Sequence, residues 1–162
     1  LKPDAIRSLK DKLLPLATWI TPNIPEAEIL TGIKIAGRET MLEAALQCSR
    51  EWSCNCILKT GHMIAKGSNV ADDVVCYDGK LYELSSPLIT DCSASHGTGC
   101  TLSAALTAVL SLGFPWKEAL MMAKGFVYGS LVESVTVGND IDAMYPPMES
   151  YQGKTLLTRI EG

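Results

Sequence analysis

The chain has 162 residues, 47% of them apolar and 20% charged, which is enough to build and solvate the core of one ordinary domain and excludes disorder. A net charge of −4 with no compensating run of Lys or Arg excludes a nucleic-acid backbone as a default partner. The longest apolar stretch, Ala104 to Leu110 with Thr107 inside it, is far short of the roughly 18 residues of a spanning helix, which excludes membrane insertion.

From Asp4 to Leu14, Ile6, Leu9 and Leu13 recur at helical spacing, and Pro15 is expected to close that helix. Thr18-Trp19-Ile20-Thr21 reads as a short buried strand that breaks at Pro22-Asn23, and Asn23-Ile24-Pro25-Glu26 opens a short helix. Residues Thr40 to Trp52 put Met41, Ala45, Cys48 and Trp52 on one stripe, with Thr40 and Glu43 spaced as a capping box. Cys56-Ile57-Leu58 is apolar on both faces, as a strand covered on each side should be, and runs into Lys59-Thr60-Gly61. Asp72-Asp73 is expected in a solvated turn, and His62 in a loop. Between Val74 and Leu84 two runs flank Asp78-Gly79, a dipeptide suited to a two-residue hairpin turn. Leu102, Ala105, Leu106, Val109 and Leu110 form an apolar helical stripe ended by Gly113 and Pro115, and Trp116, Leu120, Ala123, Val127 and Leu131 form another. The tail after Gly138 has Pro146-Pro147 and no clear period, and is expected to be mostly irregular.

This order predicts one α/β domain over residues 1–162, with a mostly parallel sheet flanked by helices. Two core strands and a ribbon make a thin sheet for this much helix, so further strands are expected before Leu1. The opening Leu1-Lys2-Pro3-Asp4 has neither an initiator Met nor a secretory pattern, and a fragment of a longer chain is expected. Cysteines 48, 54, 56, 76, 92 and 100 form no Cys-x-x-Cys pair, and only two histidines accompany them, so a reducing, cytoplasmic setting is expected.

The segment Ser95-His96-Gly97-Thr98-Gly99-Cys100-Thr101 leads into the strongest helix. Gly97 and Gly99 let successive amides point one way, and the helix adds its positive end, so the turn is a candidate anion cradle as well as a plain helix start. Thr98 contributes a hydroxyl and Cys100 a thiol in the field of the helix start. Lys59 stands where a buried strand ends, and ligands in open α/β sheets collect outside the carboxyl ends of strands. Lys124 lies on the apolar stripe of its helix, where a cation either snorkels or meets an anion. Gly125 and Gly129 permit a close approach to that helix, and packing is the expected reason.

Asn23 with Glu26 three residues later is a capping box, worth about 1 kcal/mol to the helix start. A carboxylate at the carboxyl edge of a sheet is equally a place to anchor the hydration shell of Mg²⁺, and spacing leaves both readings open. Gly61 to Ser68 carries lysine and glycine in the wrong order for a Walker loop, and Cys100 lacks the flanking glycines of a nucleophile elbow. A thiol hydrolase using His96 and Cys100 has no visible acid partner.

Three ordered motifs, Thr21-Pro22-Asn23-Ile24-Pro25-Glu26-Ala27-Glu28, Leu58-Lys59-Thr60-Gly61-His62 and His96-Gly97-Thr98-Gly99-Cys100-Thr101-Leu102-Ser103-Ala104-Ala105, resemble the hydroxymethylpyrimidine/phosphomethylpyrimidine kinases of thiamine biosynthesis, members of the ribokinase-like superfamily. The similarity spans nearly the whole chain, weakens after about Val137, and corresponds to the rear, nucleotide-binding portion of the family. It implies ATP-dependent phosphorylation of the pyrimidine's hydroxymethyl group and then of the monophosphate, with Mg²⁺. By the same resemblance Glu26 matches the acidic position associated with the metal, Lys59 and Lys124 match lysines near the nucleotide, and Thr98 matches a phosphate-contacting hydroxyl. Gly97 to Cys100 match the anion hole, with Cys100 where sugar kinases carry an aspartate base. A thiolate is a weak base for an alcohol, so orientation of the substrate hydroxyl competes with proton abstraction as its role. The cradle and both lysines are expected to converge on the terminal phosphates of the nucleotide. A small-molecule substrate and a homodimer are expected, without nucleic acid or membrane. The alternatives are a pyridoxal or pyridoxine kinase and a noncatalytic nucleotide-binding or assembly chain.

Overall fold

A computed structural model of the chain describes residues 2–61, 69–90, 97–138 and 141–161. α1 (Pro3–Ser8) places Pro3 in its first turn, where a missing N–H costs nothing. The chain goes on as a π-helical turn over Leu9–Leu13 and a 3-10 turn over Leu14–Leu16. The predicted helical run is present, but Pro15 sits inside its last tight turn instead of closing it. β1 (Trp19–Ile20) follows, then α2 (Ile24–Thr31), α3 (Arg38–Trp52) and β2 (Asn55–Lys59).

α3 starts two residues ahead of the stretch read from its periodicity. Gly37 is its N-cap, and Thr40, at the third helical position, accepts hydrogen bonds on Oγ1 from the N–H groups of Ala36 (3.1 Å) and Gly37 (3.2 Å). The capping box expected from Thr40 and Glu43 therefore does not form, because the hydroxyl serves the chain entering the helix. Met41, Ala45, Cys48 and Trp52 are buried as their spacing predicts, joined by Ala44 and Ser49.

β3 (Val70–Tyr77) and β4 (Lys80–Pro87) are joined at Asp78 (φ +49°) and Gly79 (φ +69°). Two successive positive φ values are the mark of the type I′ hairpin turn, so the expected ribbon is present. Asp72 and Asp73 belong to β3, not to a solvated turn, and Asp73 is buried, with 6% of its surface exposed. The two-residue period that would have shown this is hidden, since β3 is buried over Val74 to Cys76 on both faces.

Packing divides the described residues into two compact units. The first takes in 2–61, 73–83 and 158–161, and the second 69–72, 84–90, 97–138 and 141–157. In the first unit, Ala27 and Leu30 of α2 and Met41, Ala44, Ala45, Cys48 and Trp52 of α3 pack on Cys56, Leu58, Val74 and Cys76 of the sheet. Glu28 ties the loop between α2 and α3 by accepting from Lys34 Nζ and the Ile35 N–H, both at 2.9 Å, bonds that hold its carboxyl below the usual carboxylate range.

Four thiols of this core, Cys48, Cys54, Cys56 and Cys76, are buried and free. Burial pushes Cys54 up from its ordinary 9.0 to about 11, and raises Cys76 as well. Cys56 is pushed up by its hydrogen bond with Cys48 and by burial. A thiol whose folded value is raised stabilises the fold fully below its unfolded value, and that contribution is lost as pH rises through the folded one. The urea midpoint is therefore expected to fall between pH 9 and about pH 11. A Cys54→Ala variant should show a shallower decline across that window, and an equal slope would show that Cys54 titrates as it does in the unfolded chain.

In the second unit α4 (Thr98–Ser111) and α5 (Trp116–Val132) pack against each other, burying Leu102 and Leu106 of the first and Ala119, Leu120 and Ala123 of the second. The tail after Gly138 carries a few short elements in otherwise irregular chain. β5 (Val135–Val137) and β6 (Ile141–Ala143) form an antiparallel ribbon, a 3-10 turn covers Gln152–Lys154, and β7 (Leu156–Arg159) joins the main sheet. These short strands are defined by their pairing, which leaves no period in so few residues. The sheet order is β1-β2-β3-β4-β7, with β1 and β2 parallel and β2 and β3 antiparallel, so the sheet is mixed.

Candidate functional site

Two groups of the predicted residues are held by separate elements. In the first unit, parallel pairing of β1 with β2 brings both carboxyl ends to one edge, and the pairing continues past β1: the Lys59 N–H donates to Pro22 O at 2.9 Å, and Asn23 bridges to Lys59. The start of α2 and the end of β2 are thereby neighbours. Asn23 Oδ1 accepts from the Glu26 N–H at 2.9 Å, and Glu26 Oε2 accepts from the Asn23 N–H at 2.8 Å, which completes the capping box read from the sequence. Pro25 in the first turn has no N–H to leave unpaired, and Gly32 at φ +77° ends the helix. Glu26 is exposed, so its carboxylate caps the helix while facing solvent, and Lys59 is half-buried. The capping role and the metal role are compatible, since the cap uses only one of the two carboxylate oxygens.

In the second unit α4 begins at Gly97, whose φ of +87° and ψ of −8° fit glycine and few other residues. Thr101 N–H donates to Gly97 O at 2.9 Å as the first bond of the helical ladder. The amides of residues 98–100 stand ahead of that ladder, which is the arrangement an anion cradle needs. Thr98 and Gly99 are half-buried and Cys100 is exposed, so the thiol is accessible. A Cβ on Gly97 would lie 3.3 Å from Met144 Cε, so the chain after β6 runs close over this corner.

Lys124 is buried on the inner face of α5, with Ala123 and Gly125 beside it. Its stripe position was legible from spacing, and the burial makes it a cation in an environment of reduced dielectric. The glycines near it have a packing role, as expected: Cβ atoms at Gly125 would come within 2.8 Å of Gln152 N and Tyr151 C, and at Gly129 would strike the Tyr151 ring. Tyr151 is held there by its hydroxyl, which donates to Glu133 Oε1 at 3.1 Å, and Glu133 also accepts from the Met148 N–H.

Glu26 and Lys59 thus share one strand edge, while Gly97, Thr98, Gly99, Cys100 and Lys124 belong to the other unit. His62 and His96 lie outside the described residues. The residue that sequence reasoning missed is Asp73, which stands opposite Lys59 in the β2/β3 register and accepts from the Thr60 N–H at 3.1 Å. An even offset of two residues puts it on the same strand face as Val75, but the doubly buried run masked the alternation. Among the described residues no three His, Cys, Asp or Glu side chains form a metal-binding group, and no helix is long and apolar enough to cross a membrane.

The sequence model of the family described as Phosphomethylpyrimidine kinase matches residues 1–145. The chain belongs to this family. It is 41% identical over 139 residues to the hydroxymethylpyrimidine/phosphomethylpyrimidine kinase of Haemophilus influenzae, covering 85% of this chain and 51% of the relative. It is 35% identical over 156 residues to the pyridoxine kinase of Bacillus subtilis, covering 96% of this chain and 52% of that one. This phosphomethylpyrimidine kinase family chain therefore spans about half the length of the curated relatives it matches. In structure it is similar to the pyridoxal kinase of Staphylococcus aureus in complex with AMP-PCP and pyridoxal, with a TM-score of 0.84 and 29% identity, over 99% of this chain and 60% of that chain. The ribokinase-like α/β fold expected from the three motifs is the fold of this family chain.

Proposed function

We propose that the chain is the nucleotide-binding portion of a kinase that transfers the terminal phosphoryl group of ATP to hydroxymethylpyrimidine and then to its monophosphate in thiamine biosynthesis. The observation that carries this reading is the bridge between Asn23 and Lys59, which sets a carboxylate and a cation at the carboxyl edge of two parallel strands in a chain of this family. Phosphoryl transfer asks little covalent chemistry of the protein; it needs the donor and acceptor held in line and the charge on the moving group neutralised. In this reading Lys59 and Lys124 neutralise phosphate charge, the amides ahead of Thr101 and the Thr98 hydroxyl cradle it, and Cys100 orients the acceptor hydroxyl. The exposed Glu26 fits Mg²⁺, an ion that keeps several waters and asks for one or two carboxylates alongside phosphates. When bound beside Glu26, the ion would supply positive charge that neutralises the phosphates. The free thiols of Cys48, Cys54, Cys56, Cys76 and Cys100 support a reducing compartment such as the cytoplasm.

Calorimetric titration with AMP-PCP tests the phosphate site. Lys59→Ala is expected to weaken binding about tenfold, the worth of one charge-assisted contact at a half-exposed position, and an unchanged affinity would remove Lys59 from the site. A second reading, a pyridoxal kinase, is favoured by the similarity to the pyridoxine kinase of Bacillus subtilis over 96% of this chain. Turnover with hydroxymethylpyrimidine in preference to pyridoxal supports the first reading, and the reverse supports the second. In a chain extended at its N-terminus to the length of these relatives, nucleotide binding without turnover of either substrate would support a noncatalytic role.

A further inference from the structure

We infer that Asp73 is a positioning residue for Lys59, acting through the Thr60 amide; the inference rests on the reading of Lys59 as a nucleotide-binding residue. In the antiparallel β2/β3 pair Lys59 lies directly opposite Asp73, so the two side chains leave the sheet on the same face. That face is set by alternation along β2: Cys56 and Leu58 belong to the core packed under α3, and Ile57 and Lys59 lie on the other side. Asp73 is buried there, where a carboxylate is rarely found unless something holds it. Its Oδ1 accepts from the Thr60 N–H at 3.1 Å.

Lys59 is therefore tied at two successive amides. Its own N–H donates to Pro22 O on the β1 side, and the next N–H donates to Asp73 on the β3 side. The second tie fixes ψ of Lys59 at the point where the chain leaves the strand for Gly61, which takes φ +53°. Backbone dihedrals select the rotamers a side chain adopts, so this tie sets where the ammonium is aimed. An ionised acceptor holds an N–H about twice as strongly as a neutral one, which gives the carboxylate an advantage over an amide at this place.

The test is a double-variant cycle read by calorimetric titration of the full chain with AMP-PCP. Asp73→Ala is expected to weaken binding about tenfold, and Asp73→Asn, which keeps an acceptor for Thr60, to stay within about threefold of wild type. Lys59→Ala combined with Asp73→Ala should bind no more weakly than Lys59→Ala alone, because a positioning residue has nothing left to aim. Losses that multiply would overturn the inference while leaving the Lys59 reading in place. An unchanged affinity for Lys59→Ala would overturn that reading, and the inference with it. If circular dichroism shows Asp73→Ala unfolded, amide exchange of the wild type decides: a Thr60 amide protected like those of β2 supports the tie, and one exchanging at the rate of an open chain overturns it.

Discussion

Gly125→Ala is expected to destabilise the chain by about 2 kcal/mol and to free the segment around Tyr151 from α5. Two effects oppose each other here. Alanine in a helix interior gains about 1 kcal/mol over glycine. The added Cβ, however, would sit 2.8 Å from Gln152 N, 2.8 Å from Tyr151 C and 2.9 Å from Tyr151 O, all of them backbone atoms that move only if the whole turn moves. Overpacking of this kind costs about 1–3 kcal/mol, and at such distances the upper part of the range applies, so the clash outweighs the propensity. Gly129→Ala should behave likewise, because the Tyr151 ring it meets is pinned by the hydroxyl bond to Glu133 and by an edge contact with Tyr128 at 5.7 Å. Gly153→Ala, whose Cβ would meet nothing within 4 Å, is the control and should move the unfolding midpoint by under about 0.5 kcal/mol. Chemical denaturation gives the energies, and limited proteolysis around residues 145–155 gives the location. A Gly125→Ala protein as stable and as resistant as the wild type would mean that the tail does not rest on α5.

Lys124→Met separates a binding role from a structural one. Methionine matches the apolar stripe and the length of the lysine stem, so α5 is expected to stay folded, read as an unchanged circular-dichroism spectrum. Affinity for AMP-PCP is expected to fall thirtyfold to about a hundredfold, more than for Lys59→Ala, because a cation at 9% exposure acts across a lower dielectric than a half-buried one. A loss of stability without a loss of affinity would assign Lys124 to the packing of α5 alone.

The local signals were legible wherever one segment satisfied itself. Asn23 and Glu26 close a capping box within a single turn, Asp78-Gly79 builds its own hairpin, and the stripe from Met41 to Trp52 needs only a partner face. The start of α3 was misplaced because Thr40 serves the incoming backbone instead of Glu43, a choice between two local hydrogen bonds that spacing does not distinguish. The three ordered motifs also carried the family, since each holds several residues at fixed spacing.

What composition and pattern determined by themselves was an α/β fold, the helices and strands with a strong period, and the residue types suited to holding phosphate. Tertiary structure alone decided three things: that Asn23 neighbours Lys59, that the tail folds onto the glycine face of α5, and that Asp73 is a buried anchor. The reason is that each depends on residues far apart in sequence, where pairing across strands and close backbone approach, not local propensity, determine which groups meet.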